Sequence, residues 1–344
     1  KKVLTIASIL IVIAAVIWGY YYIKSQRLPD FNMIKAIPTD ASYIIDSKDF
    51  IDKANDIRSN NKIYEELLSL KSVKQIDNDL SFLIQFYNEN KFIKELIDNN
   101  RIIISGHQSG KEDVAHLFLM SLHTLRDQKF VLEHIANLLT QDKKLEKREY
   151  ANAIIYKIKN DGKELNFSFH HGIIMLSHSS VLLETAIRQS DVNESLLNDK
   201  GFITVQKTAG KNVDANIYIN LHHFPEVLSY TLNDKQKRRI AGFKNFGNWL
   251  ELDVNLKNDA VLLNGFTFSD QSVNNYLNIF SSQEAVDHKL NHILPANTSI
   301  FISFGISDNT GYFNQYKEYL NEQNKLQNYN NFIDHYQTKY AVNF

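Results

Sequence analysis

Three strand-like segments follow one another directly between residues 150 and 179, and this succession strongly constrains the fold. Their sequences are YANAIIYKIK, ELNFSFHH and GIIMLSHS. Asn160, Asp161 and Gly162 lie between the first two, and residues of these types readily adopt the positive φ angles of a tight hairpin turn. Because strands joined by tight turns pair side by side in opposite directions, this region predicts an antiparallel sheet.

A second region, NWLELDVNLK (248–257), alternates between apolar and polar side chains and then turns at Asn258–Asp259. This alternation predicts a half-buried strand, with Glu251 and Asp253 on the face that water wets. Segments with helical spacing occur between the strands rather than after every strand. The predicted fold class is therefore α+β, mainly an antiparallel sheet with interspersed helices, preceded by one transmembrane helix.

The transmembrane helix is predicted because residues 3–23 contain no charged side chain. A helix of 21 residues is about 30 Å long, which matches the hydrocarbon core of a bilayer. Trp18 and three tyrosines follow at its end, where aromatic rings favour the membrane interface. We therefore expect residues 1–27 to be a short basic tail with a signal-anchor that contacts the lipid bilayer. A cleaved signal peptide is the alternative, but its apolar region is usually shorter.

The charge distribution and the absence of cysteine limit the possible functions. The first 27 residues carry four basic side chains and no acidic one, while the rest has 34 basic and 39 acidic residues. A basic tail before a large domain favours a single-pass inner-membrane protein with its body in the periplasm. The mildly acidic body argues against a nucleic-acid partner. With no cysteine, disulfides and thiolate metal sites are excluded.

One phrase occurs twice, as IPTDASYIID (37–46) and again as LPANTSIFIS (294–303). In each copy a proline precedes small polar residues and then an apolar run, so a strand is expected to begin shortly after the proline. We therefore divide the body into an α+β domain over 28–290 and the start of a second repeat over 291–344. The second unit is too short to bury a sheet face, so we expect it to be incomplete. Accidental recurrence of a common turn-and-strand pattern is the alternative.

Four other features partly resemble functional sites, but none of them predicts catalytic, cofactor-binding or metal-binding residues. SGHQSGKED (105–113) has one residue too few between its glycines for a phosphate loop, and Glu112 follows its lysine. The histidines of each pair, His170–His171 and His222–His223, are neighbours in a strand, so their side chains point to opposite faces and cannot bind one metal ion from one face. His178 comes close to His171 only if the hairpin register allows it. Glu251 and Asp253 are spaced about 7 Å apart, as in a glycosidase, but alternation alone explains them. No nucleophile elbow occurs, and no serine stands beside an obvious base.

Aromatic side chains recur at helical spacing near the C-terminal end, with asparagine and glutamine between them. Such a stripe usually faces a core, and if it is exposed it marks a contact surface. Its members are Tyr312, Tyr316, Tyr319, Tyr329, Phe332 and Tyr336.

The uncharged N-terminal run, the repeated phrase, HHGIIMLSHSSVLLETAIRQ (170–189) and GNWLELDVNLKNDAVLLNGFTF (247–268) resemble a family of Bacteroidetes envelope proteins with a domain of unknown function. The resemblance covers most of residues 34–310. It implies an N-terminal membrane segment and a large extracytoplasmic body with two related halves. No activity is established for that family, so the resemblance implies no site residue.

These features predict a non-enzymatic, membrane-anchored envelope protein that binds or scaffolds other proteins, within an export or envelope-assembly complex. Membrane or periplasmic proteins are the expected partners, since an anchored body has a high effective concentration near them. No cofactor is expected. The alternatives are an extracytoplasmic lipid- or glycan-binding module, which requires a deep pocket, and an envelope hydrolase, which requires convergent polar side chains.

Overall fold

The computed structural model describes residues 15–69, 74, 77, 81, 84, 87–88, 91–98, 100–110, 113–138, 145–160, 163–230, 232–287, 293–298 and 300–341. Within this part of the chain, ten strands form one sheet in the order β10-β9-β8-β1-β2-β3-β7-β6-β5-β4, and every neighbouring pair is antiparallel. The protein is therefore α+β with a large antiparallel sheet. The strands are β1 Tyr43–Ser47, β2 Ile102–Ser109, β3 Asp113–Ser121, β4 Leu145–Tyr150, β5 Ala153–Asn160, β6 Lys163–His170, β7 Ile173–Ser177, β8 Ala215–Asn220, β9 Trp249–Leu256 and β10 Val261–Phe268.

Tight turns explain most of the strand pairs. His170 pairs with Ile173 across a two-residue turn in which His171 has φ 50° and Gly172 has φ 79°. Two consecutive positive φ angles give a turn whose twist matches that of the strands it joins. The β9–β10 hairpin turns at Asn258–Asp259, as the sequence predicts. The pairs β1–β2, β1–β8 and β3–β7 join strands that lie far apart in the chain, and they unite the hairpins into one sheet.

Helices lie between the strands, and helical segments pack on both faces of the sheet. Ser179 caps one of them, since its side chain accepts a hydrogen bond from the Leu182 amide. The helices within the body of the protein include α1 Phe50–Asn60, α2 Lys62–Leu67, α3 Lys91–Asp98, α4 Leu125–Leu138, α5 Ser180–Asp191, α6 Lys200–Gln206, α7 Phe224–Ser229, α8 Asp234–Ile240, α9 Asn309–Glu322 and α10 Leu326–Tyr340.

The main hydrophobic core lies on the sheet face that α5 and α6 cover. There, Phe202 of α6 is fully buried between Tyr218 and Trp249, at ring-centroid distances of 5.3 and 5.1 Å. The indole Nε1 of Trp249 donates a hydrogen bond to Asp199, the residue that caps α6. The other sheet face packs against α3 and α4 in a second, separate core.

The predicted transmembrane helix over residues 3–23 is corrected by the structure. No helix in the described residues is both long enough and apolar enough to cross a membrane. In the described part of that segment the helix covers 15–25, and residues 1–14 lie outside the description. Eleven helical residues extend about 16 Å, roughly half of a hydrocarbon core. The predicted bilayer contact also falls partly on residues 1–14, and the envelope location stays an untested prediction.

The two copies of the repeated phrase differ in structure. The first copy forms β1 at the centre of the sheet, where Ile44 is completely buried. In the second copy, residues 300–306 are assigned to neither a helix nor a strand, so the strand expected there is not formed. Ile300 and Ile302 are 83% and 73% exposed. The domain boundaries at 28, 290 and 291 stay predictions.

Replacing Phe202 with alanine is expected to lower the free energy of unfolding by about 3–5 kcal/mol, because the change leaves a cavity between two large rings. Chemical denaturation followed by circular dichroism measures this difference. Val181→Ala is the control, since Val181 is 72% exposed and its loss should cost less than about 0.5 kcal/mol. A similar effect of both variants would contradict the assigned core.

Candidate functional sites

A buried chain of hydrogen bonds joins the first copy of the repeated phrase to β2. Ser105 Oγ lies 2.9 Å from His107 Nε2, and His107 Nδ1 lies 2.9 Å from Asp40 Oδ1. The hydrogen bond from His107 lowers the pKa of Asp40 despite its partial burial. This order of groups is the one that activates a serine nucleophile in hydrolases.

The chain of hydrogen bonds is closed to substrates, however. Ser105 is fully buried and His107 is 2% exposed, while only the Asp40 side chain reaches solvent. In the sheet register Ser105 stands between Ile44 and Leu117, both of which are fully buried. A nucleophile without access to a carbonyl cannot attack it, so we interpret this arrangement as a structural network that satisfies buried polar atoms.

The sequence pattern could indicate the contact between Ser105 and His107, but not the contact with Asp40. Ser105 and His107 are two positions apart on one strand, so their side chains share a face. The expectation that no serine stands beside a base is therefore wrong. Asp40 comes from a turn 65 residues earlier than Ser105, and no local pattern connects the two.

The segment 105–113 is a hairpin and not a phosphate-binding loop. Ser109 of β2 pairs with Asp113 of β3, and Gly110 in the connection has φ 63°. A phosphate loop leads from a strand into a helix, whose amino-terminal amides bind the phosphate. Here the chain enters a second strand, so the structure supports the interpretation of a strand-connecting loop.

Both faces of β9 are partly covered in the structure: Val254 is buried as the alternation predicts, but the predicted wet face is not open to water. Glu251 is fully buried and shares its face with Trp249, while Leu250 and Leu252 are only half-buried on the other face. The wet acidic face expected from the alternation is therefore wrong for Glu251. The reason is tertiary, because α6 packs on β8, β9 and β10 and covers this face.

Glu251 and Asp253 form a carboxyl pair on the covered face. Neither Glu251 oxygen has a hydrogen-bond partner among the described residues, and both are shielded from solvent. Asp253 already accepts hydrogen bonds from the Gly210 amide (2.7 Å) and from Asn216 Nδ2 (2.8 Å). Burial, and then the neighbouring Asp253 carboxylate, raise the pKa of Glu251 to about 7. The pair can hold a proton, but a glycoside cannot reach it.

The two histidine pairs behave differently. His222 and His223 lie just after β8 with their rings 5.2 Å apart and nearly perpendicular. His170 and His171 instead both reach Asp191 at the end of α5: their Nε2 atoms lie 2.9 and 2.6 Å from its Oδ1. Together with their charges, these hydrogen bonds outweigh the effect of burial and lower the pKa of Asp191.

The expectation that adjacent histidines face opposite ways is wrong for this pair. His171 belongs to a turn with positive φ and not to the strand, so its ring swings to the side of His170, and the two ring centroids are 4.1 Å apart. His178 does not join them, because its Nδ1 contacts the Glu164 carbonyl oxygen at 2.6 Å.

The aromatic stripe lies on α9 and α10, whose helical character the spacing predicts. Its first half is a small cluster: Tyr312 and Tyr316 stack at 6.1 Å, and Tyr319 packs edge-on against Tyr276 at 5.7 Å. Its second half is more open, with Phe332 56% exposed. The stripe thus serves partly as a local core and partly as surface.

The most extensive apolar surface at a sheet edge belongs to β10. The side chains of Val261, Leu262, Leu263 and Phe266 are 39–61% exposed. Within the described residues, β9 is the only strand that pairs with β10.

Comparison with protein-family models, curated proteins and solved structures finds no match for this chain. The resemblance to a Bacteroidetes envelope family therefore stays a prediction.

We expect Glu251→Gln to stabilise the protein at pH 8 and to have a smaller effect at pH 5. The folded-state pKa of Glu251 is about 7 and lies above the ordinary value of 4.5. The protonated carboxyl therefore contributes to the free energy of unfolding at low pH, and this contribution is lost as the pH rises from 4.5 through 7. Glutamine has nearly the size and shape of the protonated Glu251 side chain and carries no charge at any pH. The free energy of unfolding gained by the Glu251→Gln substitution should be larger at pH 8 than at pH 5 by about 2–3 kcal/mol.

Thermal and chemical denaturation at both pH values measure that difference. Glu318→Gln is the matched control, because Glu318 is exposed on α9. An unchanged difference between variant and wild type across the pH range would show that Glu251 is not held in the protonated form.

We expect Ser105 to remain unlabelled by a fluorophosphonate reagent in the folded protein, since the reagent requires access to an activated hydroxyl. Mass spectrometry of tryptic peptides checks this. Labelling of Ser105 that His107→Ala abolishes would contradict the structural interpretation of the network.

Proposed function

We propose that this protein is a non-enzymatic, protein-binding scaffold subunit whose binding surface is the open edge of β10. The observation that carries the proposal is an edge strand with apolar side chains on both of its faces. A free edge offers a row of backbone N–H and C=O groups to which an extended segment can add as a further strand.

The backbone of β10 is oriented for such an addition. Lys257 and Ala260 exchange both of their backbone hydrogen bonds across the turn, at 2.9 and 3.4 Å. Because hydrogen-bonded and non-hydrogen-bonded pairs alternate in an antiparallel ladder, the N–H groups of residues 261, 263 and 265 point away from β9. These groups are available to an incoming strand.

The side chains of β10 indicate what kind of strand would bind. Residues 261–268 carry no charge, and the apolar side chains fall on both faces of the strand. Natural edge strands usually carry charged residues or proline that prevent association, and β10 has neither. The favoured occupant is therefore an extended, uncharged and largely apolar segment.

Such a segment occurs in this same chain. Ile300–Phe304 reads IFISF, has no charge, and exposes Ile300 (83%), Ile302 (73%) and Phe304 (62%). We therefore assign residues 300–304 of a second copy as the occupant of the β10 edge. Because two different surfaces meet, the contact is heterologous, and it leads to chains or rings of subunits as a scaffold requires.

The proposed function predicts that the protein self-associates and that Leu263→Lys abolishes this association. A lysine at position 263 places a charge on the strand edge, where desolvating it opposes pairing. Ile302→Lys should have the same effect through the other surface. Sedimentation equilibrium over a range of concentrations measures both.

Mixing the two variants makes the test specific. Each variant keeps one intact surface, so an equimolar mixture should form a one-to-one complex, although each variant alone is monomeric. Val181→Lys is the control and should associate like the wild type, since Val181 is exposed on α5, away from both proposed surfaces. A monomeric wild type would overturn the proposal, and association of Ile302→Lys alone would overturn residues 300–304 as the occupant.

The alternatives from the sequence receive less support. A depression of about 220 Å³ is lined by Arg239, Gly242, Phe243, Phe246, Tyr276 and Tyr319. This volume lies below the roughly 300–1,000 Å³ of typical ligand pockets, which does not favour a lipid- or glycan-binding module. A hydrolase is not favoured either, since the Glu251–Asp253 pair and Ser105 are covered.

A further inference from the structure

The turn between β6 and β7 and the end of α5 bring three potential metal ligands together, and this cluster is independent of the proposed scaffold surface. His170, His171 and Asp191 each offer one ligand atom, a ring nitrogen or a carboxylate oxygen, and these three atoms lie within 4.8 Å of one another. We propose that these three residues bind a divalent transition-metal ion, for which Zn²⁺ is the expected occupant.

The chemistry of the donors selects this class of ion. Two neutral imidazoles and one carboxylate suit Zn²⁺ and related transition metals, whereas Ca²⁺ and Mg²⁺ prefer oxygen ligands throughout. Three protein ligands leave a fourth position of a tetrahedral site for water or another group. His171 and Asp191 border solvent, with side chains 39% and 31% exposed, so an ion can reach the cluster.

The distances require only a small adjustment for a metal. Both Nε2 atoms now lie at hydrogen-bond distance from one oxygen of Asp191, 2.9 and 2.6 Å. Ligands about 2.0–2.1 Å from a tetrahedral ion are separated by roughly 3.3 Å. The distances between the two Nε2 atoms and the Asp191 oxygen therefore need to increase by about half an ångström, which side-chain torsions allow. Bonds to the metal would then replace the shared hydrogen bonds.

The surrounding residues hold the two imidazoles in place before any ion arrives. The ring of Phe31 stacks on His171 with the centroids 5.1 Å apart and the planes at 11°. The side chain of His170 is 9% exposed. The Leu122 amide donates a hydrogen bond of 2.8 Å to the carbonyl of Gly172, which anchors the turn on the neighbouring strand. Fixed ligands lose little freedom on binding, and this favours affinity.

Gly172 has a further role in this arrangement. Its φ of 79° is in the left-handed region, and a Cβ atom there would lie 2.5 Å from the carbonyl oxygen of Pro29. Glycine therefore allows the turn to sit against residues 28–29, and this position directs both histidines towards α5.

Titration of the full chain with ZnCl₂, followed by isothermal calorimetry, tests the proposal. We expect one Zn²⁺ per chain, and a loss of affinity of at least about tenfold in Asp191→Asn and in His171→Asn. Asparagine is chosen for both because it keeps the size of Asp191 and tolerates the positive φ at position 171. His335→Ala, which removes an exposed histidine on α10, is the control and should bind like the wild type.

A second measurement separates loss of the site from loss of the fold. Bound Zn²⁺ should raise the Tm of the wild type and of His335→Ala but not that of Asp191→Asn, whose own unfolding transition in metal-free buffer shows whether it is folded. No binding by the wild type would overturn the proposal. Equal binding by the wild type and a folded Asp191→Asn would also overturn it, because the ion would then be held elsewhere.

Discussion

The pairing of β1 with both β2 and β8 is the constraint on which the rest of the structure depends. β1 pairs with two strands that lie far from it in the chain, and without it strands β8–β10 and strands β2–β7 would form separate sheets. Gly106 makes this possible, because the ring of Tyr43 occupies the space of a Cβ atom at that position, with Cζ only 2.2 Å from it. Tyr43 in turn contacts His116 of β3 through a hydrogen bond of 2.6 Å. One glycine thus allows the centre of a ten-strand sheet to close.

The covered face of this sheet contains more polar groups than a simple core would. The Asp40–His107–Ser105 network is fully paired, while Glu251 is buried without a donor. Paired polar groups inside a protein contribute specificity, whereas an unpaired carboxyl lowers stability unless it keeps its proton. The same face therefore contains one group that supports the fold and one that makes its stability depend on pH.

The proposed surfaces occupy different ends of the sheet. β10 lies at one edge, whereas the His170–His171–Asp191 cluster lies beside the β6–β7 turn in the other half. Both the β10 edge and the histidine cluster arise where the regular pairing of strands ends. An edge with no partner strand leaves apolar side chains exposed, and a positive φ angle brings together two side chains that a strand would separate.

By itself, the sequence determined the α+β class, the hairpins between 150 and 179 and the turn at Asn258–Asp259, because each depends on residues that are neighbours in the chain. Tertiary structure decided that Glu251 of β9 is buried, since the covering helix α6 is short and was not predicted from any periodicity. It also decided that the second phrase forms no strand while the first forms β1, although their patterns are alike. A strand is stabilised by partners, and partners come from distant segments whose positions only the folded chain defines.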